Sequence, residues 1–134
     1  MLTNLCVLSF ILLCVTMRIM LKSKIHRATV TQAELNYVGS ITIDSHLMDT
    51  VDLIPGEKVL VVNNTTGARF ETYVLEGEWD SGVICINGGA AHLATEGDNV
   101  TIIAFEVTGD VRKPNKVLLD SRNKVIDIDM TILE

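Results

Sequence analysis

The chain has 134 residues, a formal net charge of −6 at pH 7 and 48% hydrophobic residues. This length fits one domain, and the acidic balance excludes a nucleic-acid-binding protein, whose phosphate partners need a basic surface. Aromatic residues make up only 4% of the chain, so the core must be built from Val, Ile and Leu, a composition that favours strands.

An uncharged apolar leader, MLTNLCVLSFILLCVT, occupies residues 1–16. No Lys or Arg precedes this run and no small-residue cleavage site follows it, which argues against a signal peptide. The run ends before Arg18, short of the roughly 20 residues that a bilayer core requires. We interpret the leader as lying outside the fold, Met17 as the start of translation and residues 17–134 as the domain; a membrane anchor is the alternative.

Short strands and turns follow the leader. The predicted elements of this first half are a strand ending near residue 26, a helical turn at 33–35, an extended run over 37–43 and a helix over 46–51. The helical turn is predicted because Thr31 and Glu34 form a capping-box pattern. The helix is predicted because Asp44 can accept hydrogen bonds from its first turn.

The second half of the chain continues with strands. They are predicted over residues 59–62, 69–75, 83–86, 100–107 and 116–119. The run Asn-Asn-Thr-Thr-Gly at residues 63–67 predicts a hairpin turn between the first two. A small helical turn is predicted at residues 90–93 and a loose tail at 127–134. Short strands joined by tight turns predict an all-β fold, a small barrel or sandwich.

Three cysteines and three histidines are scattered without the spacing of a metal site, so we predict no metal. Cys6, Cys14 and Cys85 are interpreted as buried, reduced thiols of a cytoplasmic protein. The sequence has no nucleotide-binding loop and no nucleophile elbow of the hydrolase type.

A Gly-Ser pair interrupts the extended run at residues 39 and 40. Glycine inside a strand usually marks a bulge or a close approach of another backbone. A second interpretation is chemical: the Ser40 hydroxyl can attack the unhindered carbonyl of Gly39. The resulting ester can eliminate to dehydroalanine, which hydrolyses to a pyruvoyl group and ammonia.

Three ordered segments make the chemical interpretation specific. They are MLKSKIHR-ATVT with LNYVGS over residues 20–40, TGARFETY at 66–73 and INGGAAH at 86–92. Together they resemble the bacterial aspartate 1-decarboxylase family over residues 17 to about 119.

The resemblance implies a six-stranded double-psi β-barrel with short helical turns, usually assembled as a homotetramer with active sites between subunits. It implies self-cleavage into a β-chain, residues 17–39, and an α-chain, residues 40–134. The pyruvoyl group of the α-chain would form a Schiff base with L-aspartate and release CO2, giving β-alanine for pantothenate and coenzyme A. No membrane partner is expected. An uncut barrel serving as a binding or structural module is the alternative.

The resemblance also implies roles for individual residues. It implies cleavage between Gly39 and Ser40, Ser40 as the source of the pyruvoyl group, Tyr73 as proton donor, Thr72 as support for processing, and Lys24, Arg69, Asn87, Gly88, Gly89 and Ala90 as substrate-binding residues. His26 and Tyr37 are secondary candidates. Since neighbouring strand residues face opposite ways, Thr72 and Tyr73 require either a bulge or two adjoining sites.

Overall fold

The computed structural model describes residues 16–133, so the predicted leader lies outside the described residues except for Thr16. Nine strands form one sheet in the order β2-β6-β3-β5-β4-β7-β1-β8-β9. The strands are β1 (Arg18–Thr29), β2 (Gln32–Glu34), β3 (Ser40–Asp44), β4 (Lys58–Asn63), β5 (Arg69–Gly77), β6 (Ile84–Asn87), β7 (Asn99–Thr108), β8 (Asn115–Leu119) and β9 (Val125–Ile128). One α-helix, α1 (Ser45–Val51), and two 3-10 helices, Gly88–His92 and Thr131–Leu133, complete the described chain.

The sheet closes into a barrel because β1 and β2 act as one interrupted strand. Only Val30 and Thr31 separate them, while β1 pairs with β7 and β2 pairs with β6. The backbone N–H of Thr31, between β1 and β2, donates a hydrogen bond to the Ile84 carbonyl at 2.8 Å and so continues the pairing with β6. Counted this way, six strands form the ring; β8 lies outside it and pairs with β1, and β9 pairs with β8. The predicted all-β, six-stranded barrel is confirmed.

Within the ring, the paired strands β2 and β6 run parallel to each other, as do β3 and β5. The other paired strands of the ring run antiparallel. Such parallel neighbours require connections that cross the barrel rather than simple hairpins. Aliphatic side chains fill the interior, as the composition predicted. Its largest fully buried members include Ile25, Ile41, Ile43, Leu47, Ile84, Ile86 and Ile102.

Two local predictions are wrong. Residues 32–34 form β2 instead of a helical turn, because the Thr31 hydroxyl bonds both the N–H and the C=O of Ile84 rather than capping a helix. A loose tail was predicted at 127–134, but the described part, residues 127–133, is ordered by local bonds, since Asp127 belongs to β9 and its carboxylate accepts hydrogen bonds from Thr131 and Ile132. The extended run predicted at 37–43 begins as a strand only at Ser40.

The helix predicted over residues 46–51 is confirmed, with Asp44 as its N-cap. The Asp44 side chain is only 1% exposed and accepts hydrogen bonds from the backbone N–H groups of His46, Asp80 and Gly82 at 2.8–2.9 Å. It therefore ties the end of β3 both to α1 and to the turn that leads into β6.

Replacing Asp44 tests this tie. We expect Asp44→Ala to lower the free energy of unfolding by about 3 kcal/mol, because it leaves three backbone N–H groups, that of Gly82 in a buried bond, without an acceptor. Asp49→Ala, which removes an exposed carboxylate from the same helix, should change it by less than about 0.5 kcal/mol. Urea denaturation measures both variants, and equal losses would contradict the role given to Asp44.

Candidate active site

Ser40 is fully buried at the first position of β3. Ile41 and Ile43 point into the core, so Ser40 and Thr42 lie on the opposite face of the strand. The Ser40 hydroxyl oxygen lies 3.5 Å from the Val38 carbonyl oxygen. Its position is set by the antiparallel neighbour β6, in which Asn87 is its partner.

The Asn87 side-chain amide holds the Ser40 hydroxyl. Its nitrogen donates to Ser40 Oγ at 3.0 Å and to Thr42 Oγ1 at 3.1 Å. Its oxygen accepts a hydrogen bond from Cys85 Sγ at 3.2 Å. Asn87 is 4% exposed, so these bonds are shielded from water. They place an N–H donor beside the hydroxyl that adjoins the Gly39–Ser40 peptide bond.

Gly88 lies in close contact with Gly39, the residue that precedes Ser40. It has φ +73°, and a Cβ at this position would lie 2.8 Å from the Gly39 nitrogen, the Gly39 Cα and the Tyr37 carbonyl oxygen. Only glycine fits this conformation and this contact. At Gly89, by contrast, an added methyl group would have nothing within 4 Å. The contact at Gly88 fixes the path of residues 37–39.

Gly88 and Gly89 begin the 3-10 helix, which the sequence predicts slightly later, at residues 90–93. Ala90, in the middle of this helix, is half-buried and packs against the core. Asn87 is the residue before the helix, so the predicted substrate-binding residues 87–90 form one continuous turn next to Ser40.

Tyr73 lies beside Ser40 on the other neighbour, β5. Ile41 pairs with Val74 in the parallel β3–β5 ladder, which puts Ser40 and Tyr73 at one level on strands about 4.8 Å apart. Both side chains face away from the core, and Tyr73 is 38% exposed. Thr72 faces the opposite way, since the β4–β5 ladder runs through it without a register shift. The two residues therefore face opposite sides of β5.

The two predicted carboxylate-binding cations lie farther from Ser40. Arg69 is exposed at the start of β5, four residues before Tyr73, which is about 13 Å along a strand. Lys24 is half-buried on β1, which pairs with β7 and β8, whereas Ser40 is on β3, which pairs with β5 and β6. No strand pairing or hydrogen bond among the described residues joins Lys24 to Ser40. The structure brings Asn87 into contact with Ser40 and places Tyr73 on the strand next to it.

The secondary candidates occupy separate places. His26 lies on β1, where its Nδ1 is 3.1 Å from Thr101 Oγ1. Burial lowers the pKa of His26, and the nearby charges of Lys24 and Arg27 lower it further, which favours the neutral ring. Tyr37 is exposed, and its carbonyl oxygen lies at the Gly88 contact.

Cys85 and Thr42 were not predicted as site residues. The sequence does contain a signal for both residues, because a residue two positions from a predicted site residue on a strand lies on the same face of that strand. Cys85 lies two positions before Asn87, and Thr42 lies two positions after Ser40.

Among residues 16–133, no group of three His, Cys, Asp or Glu side chains could hold a metal ion. Within the same range, no helix is long and apolar enough to cross a bilayer.

Comparison with known proteins identifies relatives that cover most of the chain. A 57% identical aspartate 1-decarboxylase from Pelotomaculum thermopropionicum aligns over 113 residues, 81% of this chain and 86% of the relative. That of Heliobacterium modesticaldum is 56% identical over 113 residues, with the same coverage of 81% and 86%. That of Bacillus cereus is 50% identical over 115 residues, 83% of this chain and 91% of the relative.

The profile of the aspartate decarboxylase family matches residues 16–126, which include all three segments that carried the resemblance. The residues around Ser40 lie within this match. The resemblance is confirmed, and the chain belongs to the aspartate decarboxylase family.

Proposed function

We propose that the chain is an aspartate 1-decarboxylase that releases the α-carboxylate of L-aspartate as CO2 and yields β-alanine, a precursor of pantothenate and coenzyme A. Family membership supports this proposal, since relatives at 50–57% identity carry that name. Cys85 is an unpaired thiol, which suits a reducing compartment, so the proposal places the enzyme in the cytoplasm.

The reactive group in this proposal is a pyruvoyl made from Ser40. Ser40 Oγ bonds to the Gly39 carbonyl carbon, the Gly39–Ser40 C–N bond breaks, and the hydroxyl proton passes to the released amine. The ester then loses the Ser40 α-proton and the Gly39 carboxylate, which leaves dehydroalanine. Water adds to its imine form, and ammonia leaves. The products are one fragment ending at Gly39 and another, residues 40–134, that begins with a ketone.

The observation that carries this proposal is the arrangement around Ser40 Oγ. The oxygen is buried, receives an N–H from Asn87 at 3.0 Å, and follows a glycine whose backbone contacts Gly88. A donor at this oxygen stabilises the negative charge that develops as the hydroxyl loses its proton. The close contact limits the conformations of the peptide that must rearrange. These residues therefore fit the formation of a pyruvoyl group at position 40.

The pyruvoyl group supplies an electron sink for decarboxylation, in place of a bound cofactor. The remaining roles belong to side chains. Tyr73 faces the same way as Ser40 on the adjacent strand, where its hydroxyl can return a proton to the substrate carbon. Thr72 approaches from the other face and supports processing at Gly39. The turn of residues 87–90 presents backbone N–H groups to the substrate.

Aspartate carries two carboxylates, and in this proposal Lys24 and Arg69 bind them. Because Lys24 is on β1, which does not pair with the strand that carries Ser40, the proposal assigns Lys24 to the site of a neighbouring copy. The outer face of β1 and β7 supports such an assembly, since it exposes Ile19, Phe105 and Val107. We propose a homotetramer with its sites between subunits.

Replacing Ser40 tests the function. We expect Ser40→Ala to fold, to remain uncut and to release no CO2 from L-aspartate, because it lacks the oxygen that attacks Gly39. Radiometric CO2 release and denaturing gel electrophoresis measure the two properties. Decarboxylation by this variant at the wild-type rate would refute the pyruvoyl mechanism. An uncut, inactive wild type would favour the binding-module alternative.

Adjacent glycines provide a matched test of the backbone contact. We expect Gly88→Ala to slow self-cleavage about 100-fold, since the new methyl group displaces Gly39 and the peptide loses its reactive geometry. Gly89→Ala should leave the cleavage rate unchanged, because its methyl group meets open space. The fraction of cut chain is measured at intervals after synthesis, and similar rates for the two variants would contradict the importance of the Gly88 contact.

A further inference from the structure

The proposed chemistry assigns no role to Cys85, a hydrogen-bonded neighbour of Asn87. The two residues lie two positions apart on β6 and share a face. They are 7% and 4% exposed, and Cys85 Sγ lies 3.2 Å from Asn87 Oδ1. Among the described residues, this thiol is the hydrogen-bond donor that the structure assigns to the amide oxygen.

The orientation of the Asn87 amide depends on that donor. An amide has an acceptor end and a donor end, and the donor end here faces Ser40 Oγ at 3.0 Å and Thr42 Oγ1 at 3.1 Å. A hydroxyl can donate or accept, so Thr42 would be compatible with either orientation, and the Ser40 hydroxyl is directed only by a long contact of 3.5 Å with the Val38 carbonyl oxygen. The thiol favours the observed orientation, because its S–H can donate to the amide oxygen, whereas its sulfur is only a weak acceptor for an amide N–H.

The thiol keeps its proton under physiological conditions. Burial raises the pKa of Cys85, and the carboxylate of Glu34 on the adjacent strand β2 raises it further. A protonated sulfur attracts the amide oxygen, whereas a thiolate would repel it. The surroundings of Cys85 thus preserve the hydrogen bond that orients Asn87.

We propose that Cys85 is a positioning residue for self-processing, whose S–H bond to Asn87 Oδ1 turns the amide N–H toward Ser40 Oγ. The N–H stabilises the charge that develops on Oγ when its proton leaves and the bond to the Gly39 carbonyl carbon forms. In the reversed orientation the amide oxygen would face the same charge and oppose it. Cys85 touches none of the reacting atoms and acts through Asn87. This inference rests on the proposed function.

The test measures the rate of chain cleavage rather than decarboxylation. The full chain is synthesised in a cell-free system, and the uncut fraction is followed by intact-mass spectrometry. We expect Cys85→Ala and Cys85→Val to slow cleavage about fivefold, the effect of one lost neutral hydrogen bond. Cys85→Ser, which retains a donor, should cleave at a rate close to that of the wild type. The Val variant separates loss of the donor from loss of volume.

A double-mutant cycle distinguishes positioning from general packing. In an Asn87→Ala background, Cys85→Val should cause no further slowing, because the amide that Cys85 orients is gone. If Cys85→Ala does not fold, Cys85→Val and this cycle carry the same test.

The role of Cys85 would be overturned if Cys85→Val cleaved at the wild-type rate, or if a folded Cys85→Ser cleaved slowly. It would also be overturned if Cys85→Val slowed cleavage equally in the wild-type and Asn87→Ala backgrounds. A wild-type chain that never cleaves would instead refute the proposed function.

Discussion

The hydrogen bond from the Asn87 amide to the Ser40 hydroxyl is the interaction on which the candidate site depends. It joins the end of β6 to the start of β3, and the next residue, Gly88, contacts the backbone of Gly39. One short segment thereby positions the Ser40 oxygen and also constrains the Gly39–Ser40 peptide that this oxygen attacks in the proposed function. Without this segment, Ser40 would be an ordinary buried serine on a strand.

The barrel explains why these groups meet. β3 has an antiparallel neighbour, β6, on one side and a parallel neighbour, β5, on the other. Ser40, as the first residue of β3, therefore has Asn87 beside it on one strand and Tyr73 on the next. Lys24, by contrast, is on β1, which pairs with β7 and β8 and not with β3. This separation supports the proposal of a substrate site shared between copies.

Some of this structure could be predicted from the sequence, and some could not. The turn at residues 63–67 and the helix capped by Asp44 follow from local signals, and the aliphatic composition indicated strands. The closure at Thr31 was missed because its partner, Ile84, is distant in sequence, and this contact overrides the local helical preference. Likewise, Gly39-Ser40 is a common pair that became informative only beside three family segments. The bond of Cys85 to Asn87 depends on side-chain geometry that no motif records.

Intact-mass spectrometry of the purified wild-type protein, after full incubation, tests most directly whether the Ser40 side chain becomes a ketone. We expect two chains, with the fragment of residues 40–134 lighter by the mass of ammonia than the same fragment beginning with an intact serine. A single uncut chain that still converts L-aspartate to β-alanine would contradict the pyruvoyl mechanism. A fragment beginning with an unmodified Ser40 in the active protein would contradict it equally.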